Sequence, residues 1–137
     1  MQFFPATKNG LSLPKSILFV PADRQDLVNK AVLTEADGVC LDLEDGVAAD
    51  RKQLARDNIT ANSKKIKSAG KVLLVRVNSE IELIGQDIIS LPNHCSAVVL
   101  AKSGGHHHVH LVNDAINRLY KDSCLLYTSP SPRDRSI

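Results

Sequence analysis

The pattern of hydrophobic and polar positions divides this chain into alternating short and long segments. From Ser16 onward, short and continuously apolar runs alternate with longer segments in which apolar residues recur at helical spacing. This alternation is typical of βα units whose strands form a buried parallel sheet. The apolar runs predict four strands, at residues 17–20, 39–43, 72–77 and 97–101.

The longer segments predict a helix after each strand, because their apolar residues fall on one helical face. These residues are Leu27, Val28, Ala31 and Val32; Leu54, Ala55 and Ile59; Ile81, Ile84, Ile88 and Leu91; and Val109, Val112, Ala115, Ile116 and Leu119. Four βα units either close into a barrel or spread into a doubly wound sheet. A complete (β/α)8 barrel needs about 250 residues, so the 137 residues present suffice for only part of one.

The C-terminal part of the chain differs in composition from the βα units. The stretch from Leu125 to Ile137 has no apolar period and contains two prolines, which interrupt both helices and strands. Residues 125–135 also resemble a translated vector or adapter sequence. We therefore expect a lead-in over residues 1–15, a folded region over 16–122, and a non-native or disordered tail over 123–137, with the natural sequence continuing differently after about Asp122.

Composition narrows the class of protein. With 43% hydrophobic and 23% charged residues, the chain is typical of a soluble globular protein, and no apolar run approaches the ~20 residues of a membrane span. The net charge of +2 gives no electrostatic footprint for nucleic acid or an anionic membrane. The three cysteines form no CxxC pair and no disulfide framework, and no targeting segment is evident. We expect a cytoplasmic protein, with the mitochondrial matrix as the alternative.

Three carboxylates follow the second predicted strand. Asp42, Glu44 and Asp45 lie in the segment 41–46, at the end of the strand where parallel α/β sheets bind their ligands. Their mutual repulsion is costly unless a cation, ordered water or an arginine offsets it. The segment is therefore either part of a functional site or an acidic turn.

Arg76 is a permanently charged residue inside an otherwise apolar strand. An unpaired guanidinium would be expensive to bury there. Two compatible interpretations are open. Arg76 either forms a structural ion pair with Glu44 and Asp45 on the neighbouring strand, or it binds a substrate carboxylate through two hydrogen bonds.

Further candidates lie near two helix starts. Arg24 and Lys30 are close to the start of the first helix, where anions are favoured. Alternatively, Asp23 caps that helix and both cations are solvated. His106 and His110 have the i, i+4 spacing of zinc-binding helices, but we favour a solvated helix start for the whole histidine cluster. The sequence contains no GxGxxG, GxxxxGK[ST] or GxSxG motif.

Three segments together resemble a known family. Residues 15–24 (KSILFVPADR), 36–47 (ADGVCLDLEDGV) and 75–78 (VRVN) look like successive motifs of the HpcH/HpaI aldolase and citrate lyase β-subunit family, in matching order and spacing. The resemblance extends from about Lys15 to Leu119. It implies a TIM barrel, trimeric or hexameric when complete, of which this chain holds about the first four βα units. Such enzymes use Mg²⁺ to cleave or form a bond between an acyl-CoA carbon and a keto-acid carbonyl.

The resemblance also implies roles for individual residues. Arg76 would bind the carboxylate of the keto acid, while Glu44 and Asp45 would orient metal-bound water and Arg76. The channel for CoA or substrate would be lined by Phe19, Arg24 and Lys30. The family's direct metal ligands are a glutamate and an aspartate on later strands, and no residue of this chain matches them. The chain by itself is therefore expected to lack a complete Mg²⁺ site and to be inactive.

The sequence leaves the exact reaction open. Lys102 matches the family after the fourth strand, but Ser103 and Gly104 stand where the family commonly has Val-Glu. The thioester is citryl-, malyl- or citramalyl-CoA, and it is either cleaved by a lyase or hydrolysed by a thioesterase. Two other functions are alternatives: a non-catalytic CoA-binding or regulatory fragment, and a class II pyruvate aldolase that acts without CoA.

Overall fold

Five parallel strands lie side by side in chain order in the computed structural model, which describes residues 14–120 and 123–127. The strands are β1 (Ile17–Pro21), β2 (Gly38–Asp42), β3 (Val72–Val77), β4 (Ala97–Leu100) and β5 (Cys124–Tyr127). The helices between them are α1 (Gln25–Ala31), α2 (Lys52–Ser68), α3 (Ile81–Ile89) and α4 (His106–Leu119), and a 3₁₀ turn at Ala49–Arg51 leads into α2. The predicted alternation of strands and helices is thus confirmed over the described residues.

The fifth strand corrects the predicted tail. We expected no regular structure from Leu125 onward, yet Cys124–Tyr127 pairs with β4 along its whole length. The expectation is wrong for these residues because β4 offers a free row of backbone groups, and Leu126 packs on Leu74 and Ala97. The lead-in up to residue 13 and the tail from residue 128 lie outside the described residues.

The two faces of the sheet have different partners. One apolar cluster joins strand residues to the buried residues of all four helices, including Val28, Ile59, Ile84 and Ile116. The other cluster consists of strand residues alone: Cys40, Leu74, Ala97 and Leu126, with Ile17, Val72, Val99 and Cys124 packed against them. All four helices therefore pack on one face, which is the arrangement that right-handed crossovers between successive neighbouring strands produce.

The helix faces follow the predicted stripes except at their ends. Leu54, Ile81 and Leu119 were expected on buried faces but are exposed. Each lies in the first or last turn of its helix. In the part of the chain that the structure describes, no helix is long and apolar enough to cross a membrane.

A buried ionic network fixes the end of β3 against two helices. The Asp87 side chain is fully buried and accepts hydrogen bonds from Arg56 Nε at 2.7 Å, Asn78 N at 2.8 Å and Asn78 Nδ2 at 2.6 Å. Asn78 Nδ2 also donates to the carbonyl oxygen of Leu43 at 2.9 Å. Because these bonds connect α2, α3, β3 and the turn after β2, they hold the carboxyl ends of the two central strands in one position.

Candidate active site

The register of the sheet places Asp42 directly beside Arg76. The two residues are Cα partners at the carboxyl ends of β2 and β3. Side chains alternate between faces along a strand, so Asp42 and Arg76 share the face of Cys40 and Leu74, two residues earlier. That face carries no helix in the described part of the chain. The charged pair therefore lies above an apolar floor, on the side of the sheet away from the helices.

The carboxylate of Asp42 accepts four hydrogen bonds. Arg76 donates from Nε to Oδ1 at 2.8 Å and from Nη2 to Oδ2 at 2.6 Å. The backbone N–H groups of Glu44 and Gly46 donate to Oδ1 and Oδ2, each at 2.9 Å. Burial alone raises the pKa of Asp42, but the hydrogen bonds and charge of Arg76, with these N–H groups, hold the pKa below its ordinary value. The hydrogen bonds that Arg76 donates to Asp42 also raise the pKa of Arg76.

Gly46 allows the turn to approach this carboxylate. A Cβ atom at position 46 would lie 2.6 Å from Asp42 Oδ2, closer than van der Waals contact permits. Any other residue would push the backbone or the carboxylate away. The glycine of the acidic segment is therefore a requirement of the Asp42 geometry.

The main partner of Arg76 differs from our expectation. We expected an ion pair with Glu44 and Asp45, whereas the structure pairs Arg76 with Asp42 and leaves Glu44 Oε1 at 3.8 Å from Nε. The physical reason is the strand register, which puts Asp42 opposite Arg76 and Glu44 beyond the strand end. Phe19 of β1 lies against the guanidinium, with Arg76 Cζ 5.3 Å from the ring centroid, within range of a cation–π contact.

Glu44 and Asp45 occupy different environments. The Glu44 side chain is only 8% exposed, and its Oε1 has no hydrogen-bond partner among the described residues. Burial, followed by the charge of Asp45, raises the pKa of Glu44. Asp45 is 61% exposed and pairs with Lys102 Nζ at 2.7 Å. Lys102 has a φ of +53°, an uncommon conformation for a residue with a side chain.

The remaining candidates, Arg24 and Lys30, follow β1 in the chain: Arg24 lies in the loop after the strand, and Lys30 lies on α1. Arg24 is exposed and forms a bidentate ion pair with the exposed Asp26, with both contacts at 3.0 Å. Lys30 is exposed on α1. Among the described residues, no hydrogen bond or ion pair joins either cation to Asp42 or Glu44. Asp23 does not cap α1, contrary to the alternative interpretation; it is buried and pairs with Arg51.

Sequence reasoning overlooked two residues that shape the turn after β2. Lys52 Nζ donates to the carbonyl oxygens of Leu43 and Glu44 at 2.7 and 2.6 Å, and Asn78 donates to Leu43 from the other side. Asn78 was quoted only as part of a motif. Its position directly after β3 was a usable signal, whereas Lys52 lies on α2 and carried none.

The histidines at the start of α4 form contacts among themselves and with the loop. The rings of His106 and His110 are perpendicular, with centroids 5.4 Å apart, and both residues are exposed. His108 Nδ1 accepts a hydrogen bond from Gly104 N at 3.0 Å. Within residues 14–120 and 123–127, no three His, Cys, Asp or Glu side chains are placed together to hold a metal ion.

Comparisons with known proteins identify relatives of this arrangement. The family model described as HpcH/HpaI aldolase/citrate lyase matches residues 15–125. A segment of 61 residues is 44% identical to L-malyl-CoA/beta-methylmalyl-CoA lyase of Rhodobacter capsulatus, covering 44% of this chain and 19% of that protein. A segment of 76 residues is 32% identical to (3S)-malyl-CoA thioesterase of Cereibacter sphaeroides, covering 56% of this chain and 27% of that protein.

Solved structures give the same result. The citrate lyase beta subunit of Mycobacterium tuberculosis, complexed with oxaloacetate and magnesium, superposes with a TM-score of 0.58 at 26% identity, over 85% of this chain and 48% of that one. The CitE protein of the same organism, in complex with magnesium and pyruvate, gives the same score and identity over 44% of its length. The chain thus spans about half the length of the solved relatives that it matches.

Replacing Asp42 by Asn should destabilise the protein in a pH-dependent way. The folded-state pKa of Asp42 is lowered, so its contribution is complete above the ordinary Asp pKa of about 3.9 and is lost as the pH falls further. We expect Asp42→Asn to lower the free energy of unfolding by about 2–4 kcal/mol at pH 7, because a buried partner of Arg76 loses its charge. The difference from the parent should shrink below about pH 4. Urea unfolding at pH 7 and pH 3, with the exposed Asp114→Asn as control, measures this; a pH-independent difference contradicts it.

Replacing Glu44 by Gln should change the free energy of unfolding in the opposite direction to Asp42→Asn. The folded-state pKa of Glu44 is raised, so ionisation of this buried group costs stability at neutral pH and nothing in acid. We expect Glu44→Gln to stabilise the metal-free protein at pH 7, on the order of 1 kcal/mol, and to be neutral below about pH 4. The same unfolding series, with the exposed Glu82→Gln as control, makes the comparison. Destabilisation at pH 7 would mean that Glu44 is a structural partner of Arg76.

Proposed function

The chain belongs to the HpcH/HpaI aldolase/citrate lyase family, and we propose that it forms the first part of a Mg²⁺-dependent carbon–carbon lyase. The substrate class is a 3-hydroxyacyl-CoA thioester, and the products are an acyl-CoA and a keto acid. The observation that carries the proposal is the Asp42–Arg76 pair, which fixes a guanidinium at the carboxyl ends of parallel strands. Ligands of α/β proteins bind at that end of the sheet.

The architecture supports a barrel rather than an open doubly wound sheet. In the described part, all strands are parallel and in chain order, and the helices share one face. A doubly wound sheet reverses its strand order and covers both faces with helices. The uncovered face of Cys40 and Leu74 would become the barrel interior once later strands close the sheet. We extend the proposal to the family's trimeric or hexameric assembly and to a cytoplasmic or mitochondrial location.

Arg76 would bind the carboxylate of the keto acid. A guanidinium forms two parallel hydrogen bonds with a carboxylate, and a position above an apolar floor strengthens them. The names of the solved relatives support this class of ligand, since they were complexed with oxaloacetate and pyruvate. Phe19 would hold the guanidinium from one face while the acid approaches in its plane.

The acidic residues fit a supporting role toward Mg²⁺. Glu44 contributes a buried carboxylate oxygen without a hydrogen-bond partner among the described residues, and oxygen ligands with ordered water are what Mg²⁺ prefers. Glu44 and Asp45 would orient metal-bound water, while the direct ligands, a glutamate and an aspartate, would come from later strands. When bound, the ion acts as a Lewis acid that stabilises negative charge developing on the carbonyl oxygen. The chain as given would therefore be inactive alone.

Arg24, at the start of α1, and Lys30, on α1, would bind the CoA moiety. Arg24, which directly precedes α1, and Lys30, in the last turn of α1, are both exposed. The Arg24–Asp26 ion pair is exposed on both sides, so it contributes little stability and can exchange for a phosphate group. Phe19 of β1 is 48% exposed and offers apolar surface beside Arg76.

Three other functions predict different outcomes. A thioesterase, the activity named for the Cereibacter sphaeroides relative, would release a free hydroxy acid instead of a keto acid. A class II pyruvate aldolase would act without CoA, and a regulatory fragment would bind CoA without turnover. Product analysis of malyl-, citramalyl- and citryl-CoA with the full-length protein, with and without Mg²⁺, separates the lyase from all three. Keto acid formed only with Mg²⁺ is expected.

Replacing Arg76 by Lys should reduce turnover although the charge is retained. An ammonium group cannot form the planar pair of bonds that a guanidinium makes to Asp42 and to a substrate carboxylate. We expect a loss of roughly ten- to a hundredfold in kcat/KM, the equivalent of one charge-assisted hydrogen bond. Arg118→Lys, at an exposed position of α4, is the matched control. Equal kinetics in parent and Arg76→Lys would show that Arg76 is only structural.

Replacing Glu44 by Gln should raise the Mg²⁺ requirement. The change keeps the shape of the side chain while removing one charge, and loss of a residue that orients metal-bound water typically costs on the order of 10–100-fold in metal affinity or activity. Activity is measured against Mg²⁺ concentration for the parent, Glu44→Gln and the control Glu82→Gln. An unchanged Mg²⁺ dependence would remove Glu44 from the metal environment.

A further inference from the structure

We infer that Asp42 is a positioning residue. It occupies the side edge of the Arg76 guanidinium, formed by Nε and Nη2, and thereby leaves only the end edge, formed by Nη1 and Nη2, for a substrate carboxylate. The inference rests on the proposed function, because it specifies how the keto acid meets Arg76. Asp42 lies opposite Arg76 in the register and accepts from both Nε and Nη2. The side edge of the guanidinium is therefore occupied.

The end edge of Arg76 is what remains. It consists of Nη1 and the outer hydrogen of Nη2, whereas the Arg76 hydrogen bonds to described residues come from Nε and from the inner hydrogen of Nη2. A planar carboxylate can accept two parallel bonds from this edge just as it can from the side edge. The Arg76 side chain is 22% exposed, so part of it is accessible. An acid bound there lies in the guanidinium plane, and Arg76 Cζ lies over the Phe19 ring, 5.3 Å from its centroid.

The turn after β2 holds Asp42 in the orientation that this requires. Both carboxylate oxygens also accept backbone N–H groups, from Glu44 to Oδ1 and from Gly46 to Oδ2. A carboxylate held at both oxygens cannot rotate without losing hydrogen bonds. Its orientation is passed to Arg76 through the two bonds between them, so the turn sets the direction in which the end edge points.

Gly46 provides a way to disturb the arrangement without removing a charge. An alanine Cβ would overlap with Asp42 Oδ2, so Gly46→Ala should displace the carboxylate and release Arg76. Gly85, on an exposed turn of α3, is the matched control, since a Cβ there meets nothing within 4 Å. Asp42→Asn tests the same contact by weakening the bonds to Arg76 while keeping the shape of the side chain.

The first measurement follows the Arg76 guanidinium directly, in full-length protein labelled with ¹⁵N-arginine. An Nε–H held by a buried carboxylate exchanges slowly with water and gives a resolved NMR signal, which is assigned by its absence in Arg76→Lys. We expect the signal in the parent and in Gly85→Ala, and its loss or broadening in Asp42→Asn and Gly46→Ala. Thermal melts confirm that each variant is folded. A signal that survives in both variants overturns the inference.

The second measurement is the affinity for pyruvate in the presence of Mg²⁺, with acetyl-CoA binding measured in parallel. We expect Asp42→Asn and Gly46→Ala to weaken pyruvate binding by roughly tenfold or more, with acetyl-CoA binding unchanged. Variants that lose the NMR signal but bind pyruvate like the parent overturn the inference and leave the proposed function intact. A parent protein that binds no pyruvate overturns the proposed function, and the inference with it.

Discussion

The Asp42 carboxylate is the contact on which the carboxyl end of this sheet depends. Its four hydrogen bonds connect β3 with the turn that follows β2, through one side chain and two backbone groups. No acceptor with fewer lone pairs could satisfy the guanidinium and the turn together. Asp42 therefore determines both the position of Arg76 and the path of the segment that carries Glu44.

The pair is costly to bury, and the surrounding structure explains why it persists. An ion pair in an apolar setting loses more hydration than it gains unless its geometry is good and its remaining lone pairs are satisfied. The turn supplies the missing bonds, while the Asp87 network keeps the two strand ends from separating. Lys52 closes the turn from α2. The carboxyl ends of β2 and β3 are thus held by polar contacts, whereas the rest of the sheet is held by apolar packing on both faces.

Much of the fold was predictable because apolar periodicity is a local property. The strand at 72–77 was predicted with both ends correct, β1 and β4 each differ by one residue at one end, and β2 differs by one residue at each end. The partner of Arg76 was not predicted, since three carboxylates competed for it and only the register selects one of them. β5 could not be predicted from its composition, because its pairing comes from the free edge of β4 rather than from its own sequence.

The charges around the turn explain why an acid and a cation would bind together. Asp42, Glu44 and Asp45 carry three negative charges, and the cations that contact this turn, Arg76, Lys52 and Lys102, carry three positive ones. This local set is therefore neutral as it stands, and burial, followed by the charge of Asp45, raises the pKa of Glu44. A keto acid adds a further negative charge beside Glu44. Hydrogen bonds from the end edge of Arg76 would orient that acid, and under the proposed function a divalent cation near Glu44 would offset its charge.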